Sequence, residues 1–166
     1  YKAYKSYKSV SDILNVSIDD VPGRLKSQLE TLETYQDKFK NLRGQEIATL
    51  VNDIESKAEN IKKKQVYIDE VNLDSANELR DLAIKIVNDT RVDITILFAN
   101  INGKNSIIGA TKKDIKLNIS SVITEVSKLY GGGASKDENL SIGGGPDNYD
   151  SSEALKFAKE LVIKEI

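Results

Sequence analysis

Histidine, cysteine, methionine and tryptophan are all absent from this chain of 166 residues. Without Cys there is no disulfide, thiolate nucleophile, iron–sulfur cluster or cysteine zinc site. Without His there is no His-dependent metal site and no Ser-His or Cys-His couple. The chemistry left is that of carboxylates, Lys, Tyr and the backbone, and no metal or cofactor is expected. A chain without Met that starts at Tyr1 reads as a fragment of a longer protein or a processed product. Long apolar runs are also missing. The longest uncharged one, Ile94 to Ile101, is interrupted by Thr95 and Asn100 and falls far short of the roughly 20 residues that span a bilayer. The N-terminus alternates Tyr and Lys with no apolar stretch of the signal-peptide kind. A soluble, cytoplasmic protein with no membrane partner is expected.

What is present is charge: 24 Lys plus Arg against 26 Asp plus Glu, a net charge of −2, with 30% charged and 39% hydrophobic residues. The length suits one domain, or a small domain with an appendage. From Leu25 the apolar positions are Leu25, Leu29, Leu32, Tyr35, Phe39 and Leu42, and after a gap Ile47, Leu50, Ile54, Ala58 and Ile61. Steps of three and four mean helix. The phase slips across Gly44, which predicts two helices or one kinked helix between residues 19 and 64, with Pro22 in the first turn and Asp19 or Asp20 as its cap. A shorter leading helix is expected over Tyr4 to Val16, its tyrosines a core stripe and Lys2, Lys5 and Lys8 a solvated face.

After Lys62 to Lys64 the pattern changes. Val66 to Val71 alternates like a strand, Ser75 to Asn88 carries a helical stripe, and Val92 to Ala99 is a β-rich apolar run. Asn102-Gly103 signals a hairpin to a strand at Ser106 to Ala110. Leu117 to Leu129 is helical, Tyr130 to Asp150 is loop-rich with a short strand at Leu140 to Ile142, and Ser151 to Lys164 is a closing helix capped by Ser151 or Asp150. The expected class is α+β: a helical subdomain over residues 1–64, then a compact α/β subdomain with a mixed sheet over 65–166. The Leu25, Leu29, Leu32, Phe39, Leu42, Ile47, Leu50 and Ile54 stripe exceeds what a partner domain of about 100 residues covers, so self-association by helix packing is expected. A helical hairpin folded on itself is the alternative.

Six of the ten glycines fall in two triplets, Gly131-Gly132-Gly133 and Gly143-Gly144-Gly145. Gly runs let backbone N–H groups approach an anion, and they also serve as plain turns and helix C-caps; both readings stand. Charge adds a local feature. Residues 101–130 hold Lys104, Lys112, Lys113, Lys116 and Lys128 against Asp114 and Glu125, and Lys136 lies in the glycine segment. That edge could contact phosphates or simply be solvated. Tyr130, beside the first triplet, reads as a base-stacking ring or as a core anchor.

The stretch Ile123 to Tyr149, ITEVSKLYGGGASKDENLSIGGGPDNY, resembles the glycine-rich signature of the C-terminal domain of alanyl-tRNA synthetase, of the DHH-associated family shared with DHH-type phosphoesterases. Lys136 matches the family's basic position and Gly143-Gly144 its closing pair, and the order of elements upstream fits. Ala134 and Ser135 stand where further glycines are common. Phosphoesterases carry a His after the Gly run, where this chain has Ala134. The resemblance implies a non-catalytic domain of an alanine-tRNA ligase that dimerises through a helical zipper and binds the outer corner of tRNA(Ala), in support of alanylation and editing. Taken with the local lysine edge, it gives Lys112, Lys113, Lys116, Gly131, Gly132, Gly133, Lys136, Gly143 and Gly144 as the expected RNA contacts. Two other readings are the substrate-binding half of a DHH-type phosphoesterase and a helical oligomerisation adaptor.

Overall fold

The computed structural model describes residues 1–166, in two compact units, Tyr1–Glu46 and Ile47–Ile166. In the first, helix α1 (Lys2–Leu14) ends on Asn15 in the left-handed conformation, which lets the Val16 N–H donate to the Ser11 carbonyl. A 3-10 turn, Ile18–Asp20, then leads directly into helix α2 (Val21–Lys57), with Pro22 in its first turn. The break expected at Gly44 is absent: α2 is one helix of 37 residues. A single Gly costs only about 1 kcal/mol in a helix interior, and the Leu, Gln, Glu, Lys and Arg around it are strong helix formers. Across the glycine, Arg43 pairs with Glu46 at 2.9 Å.

The second unit contains the sheet, and the division falls after Glu46 rather than near residue 64. The reason is burial. Val51 and Ile54 lie in an apolar cluster with Leu79, Leu82, Ile86, Leu97 and Ile108, and Ile47 and Leu50 pack against it. Six strands follow: β1 (Glu59–Ile61), β2 (Lys64–Glu70), β3 (Ile94–Ile101), β4 (Lys104–Thr111), β5 (Gly133–Ala134) and β6 (Leu140–Gly145), in the order β1-β2-β3-β4-β6-β5. Only β2 and β3 are parallel; every other neighbour is antiparallel. The parallel pair is joined through helix α3 (Ala76–Asp89), whose N-cap Ser75 accepts a hydrogen bond from the Glu78 N–H. Helices α4 (Ile119–Lys128) and α5 (Ser151–Glu165), capped by Asn118 and Asp150, belong to a second cluster built around Ile94, Ile96 and Ile107.

Alternation along β3 shows how the sheet is covered. Ile94, Ile96 and Phe98 enter the α4–α5 cluster while Leu97 and Ala99 enter the α3 cluster. Both faces are buried, as the continuous apolar run requires. The β3–β4 hairpin turns at Asn102 and Gly103, both with positive φ (53° and 78°), the geometry that favours Asn-Gly. The fold is α+β with a mixed sheet.

Candidate nucleic-acid interface

The glycine segment was expected to be mostly loop, with at most a short strand to Ile142. Instead β6 runs on through the second triplet to Gly145, pairing with β4 on one side and with β5 on the other. Gly133 sits opposite Gly144 and Ala134 opposite Gly143. The glycines answer to close approach of backbones. A Cβ on Gly132 would stand 1.7 Å from the Gly144 carbonyl oxygen, and one on Gly144, whose φ is +140°, would stand 2.0 Å from that of Asn105.

The N–H groups here have internal partners. Gly131 N–H donates to the Lys128 carbonyl, Gly132 N–H to the Ser127 carbonyl, and Gly144 N–H to the buried Ser127 hydroxyl at 3.0 Å. An anion cradle made of Gly131, Gly132 and Gly144 is therefore not formed. Gly133 has open space where a side chain would be and is exposed. Tyr130 is 2% exposed, so it is the core anchor and not a stacking ring. Burial first, then the charges of Glu70 and Asp150, push its phenol up. The aromatic that does reach the surface is Tyr149, packed edge-on to Tyr130 at 5.8 Å.

The lysines divide as well. Lys112 is partly buried; its Nζ donates to the Thr90 carbonyl at 3.1 Å and lies 3.6 Å from Asp93, so its cation is spent inside the fold. Between β4 and α4, Ile115 and Leu117 are buried in the α4–α5 cluster, and Lys113 and Lys116 are exposed with no carboxylate in ion-pair range. Lys136 is exposed at the β5–β6 turn. Two hydrogen bonds lash this turn to the Lys113–Lys116 loop: Thr111 N–H to the Asn139 carbonyl at 2.9 Å, and Ile119 N–H to the Glu138 carbonyl. Lys113, Lys116 and Lys136 thus lie on neighbouring loops, interleaved with Asp114, Asp137 and Glu138. The Asp137 carboxylate accepts from the Asn139 and Leu140 N–H groups, which holds its pKa below the usual range. Beside these loops lies an open groove of about 470 Å³, lined by Val87, Asn88, Lys113, Asn139 and Leu140.

A second lysine cluster joins the β1–β2 turn to α5. The β1–β2 turn, Lys62 and Lys63, leads into Lys64 at the start of β2, and Lys62 Nζ donates to the Ile163 carbonyl in α5 at 2.7 Å. The same helix presents Lys156 and Lys159, the latter bonded to Glu59. About 100 residues separate the two segments, so nothing local in the sequence signals the cluster.

The expected self-association stripe also splits. Leu25, Leu29, Leu32, Tyr35, Phe39 and Leu42 are 43% to 64% exposed. Ile54 instead lies completely inside the core of the sheet unit and is removed from any interface, while Ile47 and Leu50 are half-buried against that core. No helix is long and apolar enough to cross a membrane.

No protein-family model matches the chain. It is similar over nearly its whole length to the C-terminal part of alanine–tRNA ligases. It is 23% identical to that of Acetivibrio thermocellus over 165 residues, covering 98% of this chain and 19% of the relative. The ligase of Lactobacillus gasseri is 26% identical over 163 residues, 96% of this chain and 18% of the relative. With that of Methanococcoides burtonii the identity is 24% over 169 residues. The chain thus spans about a fifth of the length of these relatives. Among solved structures, the C-Ala domain from Aquifex aeolicus alanyl-tRNA synthetase superposes with a TM-score of 0.58 at 28% identity, covering 64% of this chain and 98% of that one.

Proposed function

We propose that this chain, the counterpart of the C-terminal part of alanine–tRNA ligases, is a non-catalytic cytoplasmic module that binds the outer corner of tRNA(Ala) and holds two copies of its parent enzyme together. The observation that carries this reading is the agreement of sequence and fold. Similarity to these ligases covers 94% to 98% of the chain, and a C-Ala domain matches it in structure over 98% of its own length.

Each part has its own surface. The exposed Leu25, Leu29, Leu32, Tyr35, Phe39 and Leu42 supply the self-association stripe, since such side chains in one row form a patch that monomers rarely leave open. Lys113, Lys116 and Lys136 supply cations at two tethered loops, and the glycine strands make that edge rigid rather than binding the phosphate themselves. With net charge near zero, recognition rests on a few placed cations rather than on a general basic field.

Sedimentation equilibrium and tRNA filter binding on this chain test both parts. A dimer is expected, with tRNA affinity that falls as salt rises and falls further in Lys113→Glu/Lys116→Glu/Lys136→Glu. A folded monomer, or tRNA binding indifferent to both salt and those substitutions, contradicts it.

A further inference from the structure

Helix α1 carries a three-residue repeat, Tyr-Lys-Ala, Tyr-Lys-Ser, Tyr-Lys-Ser, from Tyr1 to Ser9. In an α-helix a step of three residues advances about 4.5 Å and turns about 300°. Three residues of one kind therefore form a short slanting row, and the lysine row lies about 100° around the helix from the tyrosine row. The sequence pattern suggested that the tyrosines face a core. They do not: Tyr4 is 59% and Tyr7 47% exposed, and Tyr1 more so. Lys2, Lys5 and Lys8 are exposed as well, none has a carboxylate in ion-pair range, and Asp12 is the sole acidic residue of the helix. Lys5 Nζ lies 4.8 Å from the centre of the Tyr1 ring.

The composition of these rows selects the partner. A helix face meant for an apolar protein groove carries Leu, Ile or Phe, as α2 does. Between Tyr1 and Ser9 there is no residue of that kind. Flat rings beside unpaired cations instead match a nucleic-acid strand, whose bases offer π-faces and whose phosphates offer charge. The spacing fits too: tyrosines three residues apart have Cβ atoms about 5 to 6 Å apart, wider than the about 3.4 Å rise per nucleotide of a stacked strand, which suits bases of a partly extended single strand.

We propose that α1 binds a single-stranded RNA segment, stacking bases on Tyr4 and Tyr7 and laying phosphates along Lys2, Lys5 and Lys8. This goes beyond the function proposed above. It uses residues of the first compact unit and none of the lysines at the glycine edge.

The test is fluorescence anisotropy of a labelled oligouridine, whose bases stack weakly on one another, titrated with the whole chain. Tyr4→Leu/Tyr7→Leu keeps helix propensity and apolar area but removes the rings, and should weaken binding about tenfold or more. Tyr4→Phe/Tyr7→Phe should bind like the unaltered chain. Lys2→Gln/Lys5→Gln/Lys8→Gln should lower the slope of log affinity on log salt by about 2. Circular dichroism checks that each variant remains helical. Lys113→Glu/Lys116→Glu/Lys136→Glu should leave oligouridine binding intact even where tRNA binding is lost, so the two proposals fail separately. The proposal is overturned if the unaltered chain does not bind the oligouridine, or if the Leu pair binds it as well as the Phe pair. A changed oligomeric state in the Leu pair also overturns it, because the rings would then serve a protein contact.

Discussion

The Gly144 carbonyl oxygen lies 1.7 Å from the point where a Cβ on Gly132 would stand. The backbone just before β5 and strand β6 cannot come this close with a side chain between them, so the glycine-rich segment is first of all a packing device. Gly132→Ala should therefore lower the unfolding free energy by about 3 kcal/mol, since overpacking against backbone cannot relax by a rotamer change. Gly133→Ala, next in sequence and facing open space, should change it by less than about 1 kcal/mol. Urea denaturation of the two variants gives the comparison.

The β1–β2 turn holds Lys62 and Lys63 at positive φ, 48° and 67°. Side-chain-bearing residues adopt that conformation at a cost of roughly 1 to 2 kcal/mol each. Lys62 keeps a purpose through its bond to the Ile163 carbonyl; Lys63 uses its backbone N–H, which donates to Asn60 Oδ1. Lys63→Gly preserves that N–H and relieves the strain, and thermal unfolding should show a stabilisation of about 1 kcal/mol.

Tyr67 supplies a pH dependence. Burial first, and then the charges of Asp69 and Asp53, push its phenol up from 10.0 to about 12. Below pH 10 the phenol is protonated in both folded and unfolded chains, so its contribution is intact. As pH rises from about 10 to about 12 the unfolded chain releases the proton while the folded chain holds it, and stability falls through that window by roughly 2 to 3 kcal/mol. Urea titrations across the window should show a flatter loss in Tyr67→Phe.

The division of the apolar stripe of α2 separates assembly from stability. Phe39→Glu, at an exposed position, should convert a dimer to a monomer in sedimentation equilibrium with little change in the urea midpoint of the sheet unit. Ile54→Ala, at a fully buried one, should cost about 2 to 5 kcal/mol of stability and leave the dimer in place.

Much of the sheet was legible because its signals are local. The Ile94–Ile101 run, the Asn102-Gly103 turn and the stripes of α3 and α4 each carry a period that points one way. β1 leaves no sequence signal because it has three residues and its turn is Lys-Lys, a pair with no turn preference. The pattern ends β6 at Ile142 because glycine reads as a strand breaker; only the opposing strand shows that a side chain could not fit. The continuity of α2 through Gly44 was hidden for a related reason, since one weak position does not outweigh its neighbours. At the candidate interface, Lys112 looked equal to Lys113 and Lys116. Its contacts with the Asp93 carboxylate and the Thr90 carbonyl are ones that only the fold brings to it.

Hydroxyl-radical footprinting of tRNA(Ala) in complex with this chain tests the central claim most directly. Protection concentrated at the outer corner of the tRNA, and lost in Lys113→Glu/Lys116→Glu/Lys136→Glu, is the result expected. Protection confined to the acceptor end or the anticodon, or a footprint unchanged by those substitutions, would contradict it.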